Sequence, residues 1–275
     1  MNSRPLSYFT KNWKSNFLLA LLSLLSISAA HAQLFVANWN NGTIGEYSTS
    51  GATVNASLVS SGSSNFWGLA ASGSDLFVVN EQNPGTIGEY TTSGATINAS
   101  LITGLTDPSA IAVSGSNIFV VDDFNSTIGE YTTSGATVNA SLVTGINDPD
   151  GIAVSGSDLF VTNIGDDTIG EYTTSGATVN AALVSGLDSS TQNIAVSGSD
   201  IFVSSVSTDR IAEYTTSGAT VNASLISGLN TPEGIVVLAQ PTPEPSTWVM
   251  LLGGLGLLFF WRRRMRRTQV RLDKP

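Results

Sequence analysis

Cysteine is absent from the 275 residues, and histidine occurs once, at His31. Without cysteine there is no disulfide framework and no thiolate nucleophile. His31 lies in an N-terminal segment that reads as removable, so the mature chain is expected to lack both residue types. That excludes most zinc sites, and with them Ser-His-Asp and Cys-His catalysis, which need an imidazole base. Basic residues are scarce in a patterned way. Arg4, Lys11 and Lys14 precede the first apolar run, Arg210 alone lies between Gln33 and Pro245, and the rest follow Trp261. Of the 21 acidic residues, all but Asp273 fall within that same interval. A phosphate backbone is repelled by so acidic a body, which excludes nucleic acid as a partner. The charge reads first as a solubility device; cation binding is the sharper alternative.

Both ends concern export. The chain opens on "MNSRPLSYFTKNWKSN", then "FLLALLSLLSI", then "SAAHAQ". A basic start, a short apolar stretch and a small-x-small site at Ala30-His31-Ala32 make a secretory signal peptide, with cleavage expected between Ala32 and Gln33. An uncleaved anchor helix is the alternative, but the stretch is short for a membrane span. Near the other end, Pro243-Glu244-Pro245-Ser246-Thr247 precedes an apolar run from Trp248 to Trp261, and Arg262, Arg263, Arg264, Arg266 and Arg267 follow. A helix of that length reaches roughly 21 Å, short against a hydrocarbon core of about 30 Å, and flanking Thr247 and snorkelling Arg262 extend it. The arginines would hold that end in the cytoplasm and place the body outside the inner membrane.

These three parts in this order resemble the PEP-CTERM sorting signal of Gram-negative bacteria. The resemblance covers about the last 30 residues. It implies recognition by exosortase, a membrane protease-transpeptidase, with Pro243, Glu244 and Pro245 as the recognition tripeptide. Arg262, Arg263 and Arg264 open its basic end. These are residues acted upon, and the membrane contact would be transient. The family's cargo is typically linked to exopolysaccharide and biofilm.

Between the ends the sequence repeats. "TIGEY" starts at Thr43, Thr86, Thr127 and Thr168, and a variant "RIAEY" starts at Arg210. Each copy follows an "LFVxN"-like stretch, at Leu34, Leu76, Ile118, Leu159 and Ile201, and precedes a near-copy of "TTSGATVNASLVSGL". A period of about 42 residues with four strand-like stretches reads as one blade of a β-propeller. "IAVSGS" and "DLFVTN" are apolar at both parities, as inner strands covered on both faces should be. "ATVNASLV" is expected to alternate, with Val138, Ala140 and Leu142 on one side and Asn139, Ser141 and Val143 on the other. "GIVVLA", Gly234 to Ala239, is a first-strand copy that would complete the blade opened at Leu34 and leave no free edge. The expected fold is therefore all-β: a five-bladed propeller of four-stranded blades, flanked by a signal peptide and a C-terminal hydrophobic helix. The alternative is an open solenoid or bead-like array. The expected organisation is a signal peptide over 1–32, the propeller over 33–239 and a Pro-rich linker over 240–245. The sorting signal follows over 243–267, its transmembrane helix over 247–261, and a cytoplasmic tail over 268–275.

The blades resemble NHL-type repeats, as in "DPDGIAVSGSDLFVTNIGDDTIGEY" from Asp148 to Tyr172. Relatives with such blades include streptogramin lyase and gluconolactonase-like hydrolases as well as binding scaffolds. Those enzymes rely on histidine or a dedicated metal carboxylate set, so the resemblance implies fold more than activity.

Loops joining second to third strands, and those joining blades, should share one face. They vary ("NEQNPG", "DDFNS", "NIGDD", "LTDPSA", "INDPDG"), whereas the "SGSD" and "TTSGAT" turns opposite are near-identical. Either a binding face or neutral loop drift on a duplicated scaffold gives that contrast. The paired acids Asp122-Asp123 and Asp166-Asp167 are the candidate ligands for Ca²⁺, a hard cation that takes several oxygens. No spaced D-x-D-x-D loop accompanies them, and solvated turn aspartates are the alternative. Glu46, Glu89, Glu130, Glu171 and Glu213 recur at one blade position, either as a carboxylate ring around a channel or as structural glutamates bonded to backbone N–H groups. N-x-S/T sequons at Asn41, Asn55, Asn98, Asn125, Asn139 and Asn222 are mostly copies of one outer-strand motif. The expected function is a non-enzymatic, exported propeller without a cofactor, a binding or structural element of an exopolysaccharide layer. The alternative is a secreted lyase or hydrolase that uses loop carboxylates and a divalent cation.

Overall fold

The computed structural model describes residues 33–38, 42–48, 52–62, 66–82 and 84–229, with Pro232 and Ile235. The expected signal peptide, the "GIVVLA" strand as a whole, the linker, the transmembrane helix over 247–261 and the tail lie outside the described residues. Among the described residues, no helix is long and apolar enough to cross a membrane.

The fold is all-β, a five-bladed propeller. Blade 1 contains β1 (Gln33–Asn38), β2 (Thr43–Ser48) and β3 (Thr53–Ser60). Blade 2 contains β4 (Phe66–Ser72), β5 (Asp75–Asn80), β6 (Gly85–Thr91) and β7 (Thr96–Leu105). Blade 3 contains β8 (Pro108–Ser114), β9 (Asn117–Asp122), β10 (Thr127–Thr132) and β11 (Thr137–Thr144). Blade 4 contains β12 (Pro149–Ser155), β13 (Asp158–Asn163), β14 (Thr168–Thr173) and β15 (Thr178–Ser185). Blade 5 contains β16 (Thr191–Ser197), β17 (Asp200–Ser205), β18 (Arg210–Thr215) and β19 (Thr220–Ser227). Every blade is an antiparallel meander, and β4, β8, β12 and β16 pack on one another as the inner strands.

Blades are held together by apolar cores that alternate with the sheets. Phe119 and Val121 of blade 3, for example, meet Ile152, Leu159, Val161 and Tyr172 of blade 4. Phe77 and Val79 meet Ile118, Val120 and Tyr131, and Phe160 meets Ile201, Val203 and Tyr214. Strand two is thus apolar at both parities because each side faces a different neighbour. Phe119 and Phe160 are at most 2% exposed, and burying such a ring contributes roughly 1.5–3 kcal/mol.

The "GEY" motif has a packing cause. The tyrosine ring folds back over the glycine two residues earlier, so a Cβ on Gly129 would lie 2.8 Å from the Tyr131 ring. Blade 5 carries Ala212 in that place, before Tyr214. The glycine of "TTSGAT" reaches further. Gly135 has φ +85° and sits against the Leu101 carbonyl of the preceding blade's outer strand, where a Cβ would approach to 2.5 Å. Gly94, Gly176 and Gly218 repeat this against Leu58, Leu142 and Leu183. One duplicated turn therefore sets the spacing between neighbouring blades.

The outer strand does not alternate as expected. Residues 137–141 are exposed at both parities, and burial is confined to Leu142 and Val143. The register against β10 runs Ile128↔Val143, Glu130↔Asn139, Tyr131↔Thr137, so the outer strand holds extra residues. The bulge is an Asx turn: Asn139 Oδ1 accepts the Ser141 N–H at 3.1 Å. The same bond recurs at Asn55, Asn98, Asn180 and Asn222. Asn180 makes it to Ala182, without a sequon. The turn, rather than glycan attachment, accounts for the repeated Asn.

Candidate functional site

Two faces emerge as expected. The constant turns are bonded to each other, Thr133 N–H to Ser116 O at 2.9 Å and Thr174 N–H to Ser157 O at 2.8 Å. On the other face, the loop after strand two bonds the loop between blades: Asp123 N–H to Asp107 O at 2.9 Å and Ile164 N–H to Asp148 O at 2.8 Å.

At the variable-loop end of each inner strand lies a bulge. Phe66 pairs with Asn80 but Leu69 with Val78; Pro149 pairs with Asn163 but Ile152 with Val161. The extra residue is Ser109 in blade 3, and elsewhere one of the pairs Trp67-Gly68, Asp150-Gly151 and Gln192-Asn193. A bulge re-aims side chains, and bulges are common beside functional sites. These four positions form an arc. Ser109 Oγ donates to the Asp150 carbonyl at 3.1 Å, and Thr162 Oγ1 donates to the Gln192 carbonyl at 2.8 Å. Where the rest of the blade is copied, this position carries an indole, a hydroxyl, a carboxylate and an amide. Trp67 is 38% exposed, and Ser109, Asp150 and Gln192 are half-buried. Sequence reasoning placed Asp150 among the loop acids and missed Trp67. The signal was there: the first three residues of each inner strand vary, the second most in chemical type, while the "IAVS"-like stretch after them hardly changes.

The acids beside this arc divide by role. Asp122 is 6% exposed and fully engaged. It accepts Thr106 N–H at 3.0 Å, Asn125 Nδ2 at 3.1 Å, Asn125 N–H at 3.3 Å and Asp107 N–H at 3.4 Å. Its lone pairs hold two loops in place. Asp123 instead meets the Asp148 side chain across the gap between blades. Burial, then the hydrogen bond and charge of Asp148, then Asp107 and Asp122, push its carboxyl up to about 7. Two carboxylates cannot share a hydrogen bond unless one holds a proton. Asp166 accepts Asn147 Nδ2 at 2.9 Å. Asp167 has φ +53°, and its Oδ1 is buried without a hydrogen-bond partner. Asp122-Asp123 and Asp166-Asp167 are not brought into one site; among the described residues no group of three or more His, Cys, Asp or Glu is placed to hold a metal ion.

In blade 5 the corner is built differently. Asp188 accepts Ser205 Oγ at 2.6 Å, Ser190 Oγ at 2.7 Å and Thr208 Oγ1 at 3.1 Å, and Arg210 lies 3.5 Å away. Burial raises its pKa, but the hydroxyl bonds outweigh burial and hold it below the ordinary value. The recurring glutamates belong to the third strands, two removed from the inner ones, so they do not ring a channel. Glu130 accepts Asn117 Nδ2 at 2.8 Å, and Glu89 and Glu171 are raised by burial and then by Asp75 and Asp158. On the flank of blade 3, a recess of about 350 Å³ is lined by Asp122, Asn125, Thr127, Tyr131 and Ser141. Of the sorting and cleavage residues, Gln33 opens β1; Ala32, Pro243, Glu244, Pro245, Arg262, Arg263 and Arg264 lie outside the described residues.

A search of the curated proteins gave no match. Among solved structures, a streptogramin B lyase aligns at 21% identity and TM-score 0.57, over 76% of this chain and 71% of that one. A gluconolactonase of Xanthomonas campestris aligns at 14% identity and TM-score 0.58, over 73% and 75%. A computationally designed protein, Ika8, aligns at 14% identity and TM-score 0.46, and this chain spans 63% of its length. At such identities the likeness to the lyase and the gluconolactonase is one of fold. The PEP-CTERM protein-sorting motif matches residues 241–267. The chain is an exported, transiently membrane-anchored protein that joins a PEP-CTERM sorting motif to a five-bladed propeller resembling the streptogramin-lyase propeller.

Proposed function

We propose that the propeller is a non-enzymatic binding element, sorted by an exosortase-like membrane protease and retained at the cell surface or in the extracellular matrix through exopolysaccharide. The observation that carries this reading is the arc at the inner-strand bulges. An exposed indole stacks on the apolar face of a sugar ring, and hydroxyl, carboxylate and amide groups match its hydroxyls. The acidic body disfavours a polyanion, so a neutral polysaccharide is the expected ligand. Electrophoresis through gels containing neutral polysaccharide tests it. The wild type should be retarded, and Trp67→Ala, which removes a partly exposed side chain, should lose about tenfold in affinity, roughly 1.4 kcal/mol. Equal mobility of the two, or no retardation of either, overturns the reading.

The Asp123–Asp148 pair favours a second reading, a lyase or hydrolase. A carboxyl that holds its proton near neutral pH is the kind of group that serves as a general acid. Turnover of lactone or glycan substrates that is lost in Asp123→Ala, with or without added Ca²⁺, would establish it.

A further inference from the structure

Four blade-to-blade cores are complete, and the two terminal faces look like halves of a fifth. Val36 in β1 is 37% exposed, whereas its counterparts Val78, Val120, Val161 and Val203 are 0–2% exposed. Leu225 and Ile226 in β19 are 40% and 46% exposed, whereas Val59, Ile102, Val143 and Val184, the counterparts of Ile226, are 3–6% exposed. β1 is also the edge of its sheet, although β5, β9, β13 and β17 each carry an inner strand. Residues 232–238 read Pro-Glu-Gly-Ile-Val-Val-Leu, a copy of β12, Pro-Asp-Gly-Ile-Ala-Val-Ser. Pro232 and Ile235 are half-buried and lie in no strand.

Direction is the informative part. Every inner strand starts at the variable-loop face and ends at a constant turn: β12 follows the loop at Asp148 and stops at Ser155, before Gly156. We propose that residues 232–238 of this chain dock along β1 as its inner strand, so that the chain leaves the ring on the constant-turn face and the variable-loop face points away from the membrane while the protein is anchored. This rests on residues 241–267 acting as the sorting and anchoring segment. Carried over from the register of β12 on β13, this docking would set Ile235 opposite Val36 and Val237 opposite Leu34. Residues 239–247 contain Pro241, Pro243 and Pro245. As a polyproline II segment at about 3.1 Å per residue they span only about 28 Å, which keeps the exit face the nearer one. The variable loops stand a further strand length away, roughly 20 Å.

The absence of cysteine makes the test clean. Val36→Cys with Ile235→Cys, in the chain with its C-terminal segment intact in vesicles, should oxidise to a disulfide within one chain, as the internal control Val161→Cys with Ile152→Cys does. Disulfide-linked dimers or longer chains would show that a second copy fills the edge, and no bond beside a bonded control would leave the edge to another partner; either overturns the proposal. A second measurement spares the core. A fluorophore at Ser157→Cys, on a constant turn, should be quenched by headgroup-nitroxide lipids several-fold more than one at Phe124→Cys, on a variable loop. Equal or inverted quenching overturns the orientation, whatever the disulfide shows. If closure and orientation hold but Trp67→Ala binds polysaccharide like the wild type, the ligand reading alone fails.

Discussion

Replacing Asp123 by asparagine should stabilise the propeller above about pH 7 and leave it unchanged only below about pH 4. The carboxyl of Asp123 is pushed up to about 7, first by burial and then by Asp148, whereas an unfolded aspartate titrates near 3.9. A group raised in this way contributes stability that is fully present below about pH 4 and lost as pH rises through about 7. A three-unit shift corresponds to about 4 kcal/mol. Asp123 is only partly buried and its proton is shared with Asp148, so solvent screening reduces this to roughly 1–2 kcal/mol. Asparagine keeps an N–H donor for Asp148 and carries no charge. At pH 8 the variant should therefore melt higher by about 2–8 °C, at about 2–4 °C per kcal/mol for a domain of this size. The two should coincide below about pH 4, and the difference should grow between about pH 4 and 7, reaching about a third of its full size near pH 5. Glu89 and Glu171 are raised as well, but they act on both proteins and cancel in the difference. Melting curves by circular dichroism at intervals from about pH 3.5 to 8 decide it. A difference that does not change with pH, or a variant less stable at pH 8, would refute the shared-proton account.

Gly135→Ala should destabilise by about 2–4 kcal/mol, because it combines an unfavourable positive φ with a Cβ 2.5 Å from the Leu101 carbonyl; chemical denaturation measures this, and a cost below 1 kcal/mol would remove the turn from the blade-spacing account. Asn139→Ala should cost about 1 kcal/mol through loss of its Asx turn, while Ser141→Ala should be neutral, as Ala182 already stands at that position in blade 4. If Ser141→Ala instead abolished a mass shift in protein from the native host, the sequon would be a modification site. Arg210→Ala should change stability by less than about 1 kcal/mol, since the pair with Asp188 is partly solvent-exposed; Asp188→Ala should cost more, because the hydroxyls of Ser190, Ser205 and Thr208 lose their acceptor.

What the sequence shows plainly, and what it hides, have physical causes. Blade limits are legible because the blades reuse "LFVxN", "GEY" and "SGATVN" or near-copies of them, and those positions are fixed by contacts inside one blade or to its nearest neighbour. Tyr131 over Gly129 and Gly135 under Leu101 are examples. The outer-strand bulge is hidden because "ATVNASLV" alternates well enough on paper; only the Asn139 side chain, bonding two residues ahead, breaks the ladder. The Asp123–Asp148 contact joins loops 25 residues apart and follows from the packing of blade 3 on blade 4. Trp67 reads as an ordinary inner-strand residue until the bulge at Phe66–Leu69 turns it outward.

The central claim is that this propeller is cargo, delivered by a segment that is then removed. Intact mass spectrometry of the protein recovered from the native envelope and medium tests it most directly. The account predicts a species that begins at Gln33 and ends between Pro243 and Ser246. A species that keeps Trp248 to Pro275 in both fractions would contradict it and make the segment a permanent anchor.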